Sequence, residues 1–181
     1  MEKKYKLTDE SIKFNNRTLY RIEALKDFGD VEKGDKGGFI EDEHNLSHDG
    51  NSWVYGNGMV YGNGMVYGNA RVYDNARVYD NARVYGDARV YDNARVYGDA
   101  RVCGDAKIEN NSDYIVFKNW WSSGRYFTWT RSNDMWKVGC FSGTGEELIK
   151  KAYKDSELSG REYERIVHYV EDILNSENDG K

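Results

Sequence analysis

The 181-residue chain carries 26 lysines and arginines against 31 aspartates and glutamates, a formal net charge of −5. Duplex nucleic acid is not an expected partner for such a balance, because binding phosphate along a helix needs a basic face. The length allows one domain or a repeat body with small ends, and the two cysteines, Cys103 and Cys140, show neither a disulfide framework nor metal-ligand spacing.

No cofactor and no metal are therefore expected. Unpaired cysteines imply a reduced, cytoplasmic protein, and no apolar run is long enough to span a bilayer. Proline is absent altogether, which suits a body of paired strands because proline cannot donate to a β ladder.

Residues 1–53 read as an N-terminal β cap with an irregular first coil. Lys13 to Ile22 forms two short strands about an Asn15-Asn16 turn. Glycine-rich corners follow around Phe28-Gly29-Asp30-Val31 and Lys33 to Ile40. His44 and His48 fall in this lead-in and read as cap or surface histidines, as does His168 near the other end.

Residues 54–113 are the repeat body. Nine hexads run in one register from Val54 to Lys107, each opening on valine, with a typical unit Val-Tyr-Asp-Asn-Ala-Arg. The fifth position is Gly58 and Gly64 in the first two units and alanine in the other seven. Alternate strand residues share a face, so valine and the alanine two residues before it point inward. Tyrosine and arginine point outward. The Gly-Asn, Asp-Asn or Gly-Asp pairs occupy corners that call for positive φ.

Six residues per strand and corner build a three-faced coil of eighteen residues, and the repeat predicts three such coils, ~14 Å tall at ~4.8 Å per rung. Tyr55, Tyr73 and Tyr91 then form one outward column, Tyr61, Tyr79 and Tyr97 a second, and Tyr67 and Tyr85 a third topped by Cys103. Arginines stack beside them, with corner aspartates such as Asp87 and Asp99 as their expected ion-pair partners. One face, with Tyr73, Arg77, Tyr91 and Arg95, is a candidate docking surface.

Residues 114–181 change composition. Arg125 to Arg131 alternates like a strand, Ser132-Asn133-Asp134 turns, and Met135 to Phe141 returns as a hairpin mate. A helix begins at Thr144, where Glu147 completes a capping box, and a second is expected at Ser159 with Glu162. The tail is thus a small α+β module. Four of the five tryptophans lie here, and Trp120, Trp121, Arg125, Tyr126, Trp129, Arg131 and Trp136 are the candidate ligand- or partner-binding residues.

The repeat, an aliphatic residue with a small one four positions on, resembles the hexapeptide repeat of left-handed parallel β-helices. The expected fold is therefore mainly β: a left-handed parallel β-helix with an N-terminal β cap and a C-terminal α+β module. The lead-in Asp27-Phe28-Gly29-Asp30-Val31, Gly37-Gly38-Phe39, Asn45-Leu46-Ser47 and Trp53-Val54-Tyr55 looks like that of bacterial and prophage hexapeptide-repeat proteins. The tail, around Gly139-Cys140-Phe141-Ser142-Gly143-Thr144, is similar to phage-type tails. Acyltransferases of this fold place a histidine base beside a loop extruded from a coil, at a trimer interface. The repeat here has neither histidine nor loop.

The resulting expectation is a non-catalytic binding protein with no enzymatic activity and no catalytic residues. It would act on a host or phage protein, as an anti-CRISPR-like inhibitor of host defence, in the host cytoplasm and as a dimeric or trimeric homo-oligomer. Two alternatives stand beside it: a nucleotide-sequestering protein that uses Arg125, Trp129, Arg131 and Trp136, and a degenerate β-helix acyltransferase. No membrane partner is expected.

Overall fold

The structure, a computed structural model, describes residues 2–179. Two antiparallel strands, β1 (Tyr5–Phe14) and β2 (Arg17–Ala24), open the chain. They meet at Asn15 and Asn16, with φ of 47° and 62°, the left-handed pair that a two-residue hairpin needs. Strand β3 (Lys36–Ile40) pairs antiparallel with β2 on one side and parallel with the solenoid on the other. It converts hairpin into helix.

Ten two-residue rungs follow, because valine and the residue before it are the only members of each hexad outside a corner. They are β4 (Trp53–Val54), β5 (Met59–Val60), β6 (Met65–Val66), β7 (Arg71–Val72), β8 (Arg77–Val78), β9 (Arg83–Val84), β10 (Arg89–Val90), β11 (Arg95–Val96), β12 (Arg101–Val102) and β13 (Lys107–Ile108). They stack in three parallel sheets: β3-β5-β8-β11 continuing from β1-β2, then β4-β7-β10-β13, then β6-β9-β12. The body is a β-solenoid of about four turns, one more than the hexads alone predict, because the lead-in joins it. Phe39 pairs with Met59 and Leu46 bridges Val66 at an offset of 20 residues, against 18 from Trp53 to Arg71. The two extra residues fall between Leu46 and Trp53, around His48.

Every repeat valine and alanine is buried. The core is narrow, and its small residues let the three sheets meet along one axis. All nine first-corner residues, six glycines plus Asp74, Asp80 and Asp92, have positive φ. The tyrosine columns form as expected, with ring centroids 4.7 to 5.3 Å apart and near-parallel planes.

The expected arginine–aspartate pairing does not form. Among the described residues no corner aspartate makes an ion pair; on two of the three corner columns amide stacks on carboxylate or amide instead, as Asn69 Nδ2 on Asp87 Oδ1 (3.0 Å) and Asn63 Nδ2 on Asn81 Oδ1 (3.1 Å). The reason is geometric. Like stacks on like, so a corner side chain meets the corner above it sooner than an arginine on the neighbouring face.

Four antiparallel strands, β14 (Tyr114–Lys118), β15 (Tyr126–Thr130), β16 (Met135–Val138) and β17 (Phe141–Gly143), sit at the far end. Helices α1 (Gly145–Asp155) and α2 (Glu157–Asp179) pack on them. Thr144 caps α1 with the predicted box to Glu147. The second helix begins two residues before Ser159, because Ser156 Oγ accepts the Ser159 N–H and acts as the cap.

The module terminates the ladder with side chains. Asn111 Oδ1 accepts from the Arg95 N–H at 2.9 Å, Thr128 Oγ1 from Arg101 at 2.9 Å, and Ser132 Oγ from Lys107 at 2.7 Å. One oxygen thus meets the last rung of each sheet. Among the described residues no helix is long and apolar enough to cross a membrane.

Candidate functional site

Besides the pairing of β3 with β5, one corner fixes the lead-in against the solenoid. After β3 the chain makes one 3-10 turn, Glu43–Asn45, capped by Asp42. Asn45, fully buried, donates through Nδ2 to the carbonyls of Gly62 (3.0 Å) and Gly64 (2.8 Å), while its Oδ1 accepts the Asp42 N–H. Glu41 accepts the Gly62 N–H at 2.8 Å and pairs with Arg17 at 2.7 Å. Both polar groups of the Gly62 backbone are therefore held by the lead-in.

This clamp places His44 in a cleft of about 870 Å³, walled by Asn15, Arg17, Tyr61, Tyr79, Asp80 and Asn81. His44 Nε2 lies 2.8 Å from the Gly62 carbonyl oxygen. A carbonyl only accepts, so an Nε2–H suits that contact. Asp42 Oδ1 lies 3.2 Å from Nδ1. The Asp42 carboxyl is held below the usual carboxylate range, first by the His44 backbone N–H and then by the ring. A carboxylate likewise only accepts, so an Nδ1–H suits Asp42, and both ring nitrogens rest against acceptors. The ring is half exposed, so a ligand in the cleft can reach it.

The other histidines are structural or solvent-facing. His48 Nδ1 accepts the Lys4 N–H at 3.1 Å, and its ring stacks on Tyr5 at 4.3 Å. His168 is exposed on α2.

The expected aromatic site does not assemble. Trp129 and Trp136, 1% and 2% exposed, pair across β15 and β16 and form the module's core with Phe127, Tyr163 and Val167. They cannot stack on a base because two helices cover them. Arg131 is engaged by Glu177 at 2.7 Å. Trp121 is half-buried against Tyr163, whereas Trp120, Arg125 and Tyr126 remain on the surface. On the expected docking face, Tyr73 is stacked between Tyr55 and Tyr91, and the Arg77 guanidinium lies 4.7 Å over the Phe14 ring. The N-terminal hairpin therefore covers part of that face, while Arg95 stays exposed.

Sequence reasoning passed over the one histidine that the fold presents to a cleft. The signal was present: Asp42-Glu43-His44-Asn45 has the spacing of a capping box, which fixes a histidine beside a carboxylate.

A family profile described as the YdcK β-solenoid repeat matches residues 65–78, 76–90 and 88–104. Among curated proteins, the chain is 38% identical over 61 residues to one from Escherichia coli named "Uncharacterized acetyltransferase YdcK". The match covers 29% of this chain and 19% of that protein, so it takes in about a fifth of the relative's length. These findings support a bacterial β-helix repeat protein. They also correct the expectation of a chain without enzymatic activity, since the relative that shares the repeat carries the name of an acetyltransferase.

Proposed function

We propose that this protein transfers an acyl group from a thioester to an amine or hydroxyl acceptor, with His44 as general base. The observation that carries this reading is the His44–Asp42 pair, fixed by Gly62 and opening into a cleft on the solenoid side. The acetyltransferase name of the relative supports it.

In the step, His44 turns Nε2 from the Gly62 carbonyl to the acceptor while Nδ1–H stays on Asp42, and the acceptor's N–H or O–H proton passes to Nε2 as its heteroatom attacks the thioester carbonyl. A bond to the acyl carbon forms, the C–S bond breaks, and the proton passes on to the departing thiolate. Asp42 stabilises the charged ring between the two transfers. Glu41 and Asn45 position the corner without touching the reacting atoms.

The test is thiol release from acetyl-coenzyme A against a panel of small amines and sugars. Acceptor-dependent release is expected, falling about 10²- to 10⁴-fold in His44→Ala, the usual range for loss of a general base. Wild-type release no faster than buffer with every acceptor, or a His44→Ala variant as active as wild type, would overturn the reading.

A second reading concerns self-association. Trp120 is 72% exposed, edge-on to Trp121, and a large aromatic left in water is a common centre of an interface. If it seats a second copy of this chain, Trp120→Ala shifts sedimentation towards monomer. Unchanged sedimentation would remove the idea.

A further inference from the structure

On the third face of the solenoid, Arg83 and Arg101 sit on neighbouring rungs in register. Two guanidinium groups stacked at the rung spacing of ~4.8 Å repel unless an anion lies between or beside them. Several other arginines are relieved internally: Arg71 by Asp30 at 2.7 Å, Arg21 by Glu10 at 2.6 Å, Arg131 by Glu177, and Arg77 by the Phe14 ring.

Arg83 and Arg101 have no such relief. Among the described residues neither makes an ion pair with a carboxylate, and Arg83 donates to the Tyr67 hydroxyl. The C-terminal module then adds a third cation. Arg125, in the approach to β15, lies against Gly139, and Arg83, Arg101 and Arg125 line one cleft of about 350 Å³ with Asn81, Asp99 and Tyr126. Asp99 is the cleft's one carboxylate, and its Oδ1 is turned to Asn81 Nδ2 at 3.4 Å. Three guanidinium groups against one carboxylate leave a net charge of +2 in the cleft of a protein whose overall charge is −5.

We infer that this cleft between solenoid and module is a binding site for the phosphoryl group of a small phosphomonoester. The charge matches a phosphate dianion, and guanidinium forks are the side chains best suited to bidentate phosphate recognition. Tyr126, exposed at the rim, offers a ring face to the organic part of the ligand. The inference does not depend on acyl transfer: of these residues only Asn81 also lines the His44 cleft, and none of the three arginines does.

The experiment is calorimetric titration of the full chain with inorganic phosphate and with a nucleoside 5′-monophosphate, at constant ionic strength set with chloride. Saturable one-to-one binding is expected, weakened at least tenfold in Arg101→Gln and in Arg125→Gln. The control is Arg89→Gln, on a different face, which should leave binding unchanged. Binding of phosphate alone as tight as the nucleotide would identify free phosphate as the ligand. A tighter nucleotide, with the gain lost in Tyr126→Ala, would identify an organic ester. No heat with either probe, or equal losses in Arg89→Gln and Arg101→Gln, would overturn the inference. Unchanged melting temperatures of the variants would show that the fold is intact.

Discussion

At the scale of single residues, Gly50 is the position with least latitude. Its φ is +68°, and a Cβ there would sit 2.4 Å from the Gly68 carbonyl oxygen of the next turn. Gly50→Ala therefore combines left-handed strain with a backbone clash, and a loss of about 2 kcal/mol or more is expected in urea unfolding. A loss under half that would mean that the turn around His48 can shift. Which valines and alanines face inward was legible from period two alone, and so was the need for left-handed corners. The tryptophans were not. Trp129 and Trp136 alternate correctly for one face of a hairpin, but only the position of α1 and α2 reveals that this face is covered. His44 was hidden for the opposite reason: its neighbours in space, Gly62 and Asn81, are far away in sequence.

Among the elements, the end of the ladder is the informative one. Three side-chain oxygens, from Asn111, Thr128 and Ser132, take the amide hydrogens that a further rung would have taken. Removing one leaves a partly buried N–H without an acceptor, so Thr128→Val should cost about 1–3 kcal/mol. Denaturant midpoints of the single variant check this. Removing all three exposes edges on every sheet, and light scattering should then rise with protein concentration. A triple variant that stays monodisperse would mean that the module shields the edge by bulk alone. The hexads predicted the rungs with their register, whereas the lead-in was legible only as an irregular first coil, because its offset of 20 residues breaks the period.

For the whole molecule, the titrating groups set the alkaline behaviour. Lys4, whose Nζ donates to the Gly50 and Ser52 carbonyls, is lowered by burial to about 8 from 10.5. Between those values the unfolded chain binds the extra proton, so stability rises with pH. Tyr5, Tyr55, Tyr85 and Tyr114 are shifted the other way, each raised from 10.0 chiefly by burial. Above pH 10 the unfolded chain loses those protons first, so stability falls. Urea unfolding should therefore show a shallow rise from pH 8 to near 10, then a steep decline. Phenolate absorbance should appear late and together with unfolding. A steady fall from pH 8 would contradict the burial of Lys4.

The caps reach inward only at their edges, as Asp30 on Arg71 and Phe14 under Arg77, while the backbone of each interior turn pairs with copies of itself. An eighteen-residue segment such as 72–89 could then be duplicated with the ladder kept in register. Each such step would move the two clefts, which now share Asn81, apart by one rung, ~4.8 Å. The solenoid is thereby a ruler graduated in whole turns, along which the spacing of surface features is an adjustable trait and the corners that carry them are not.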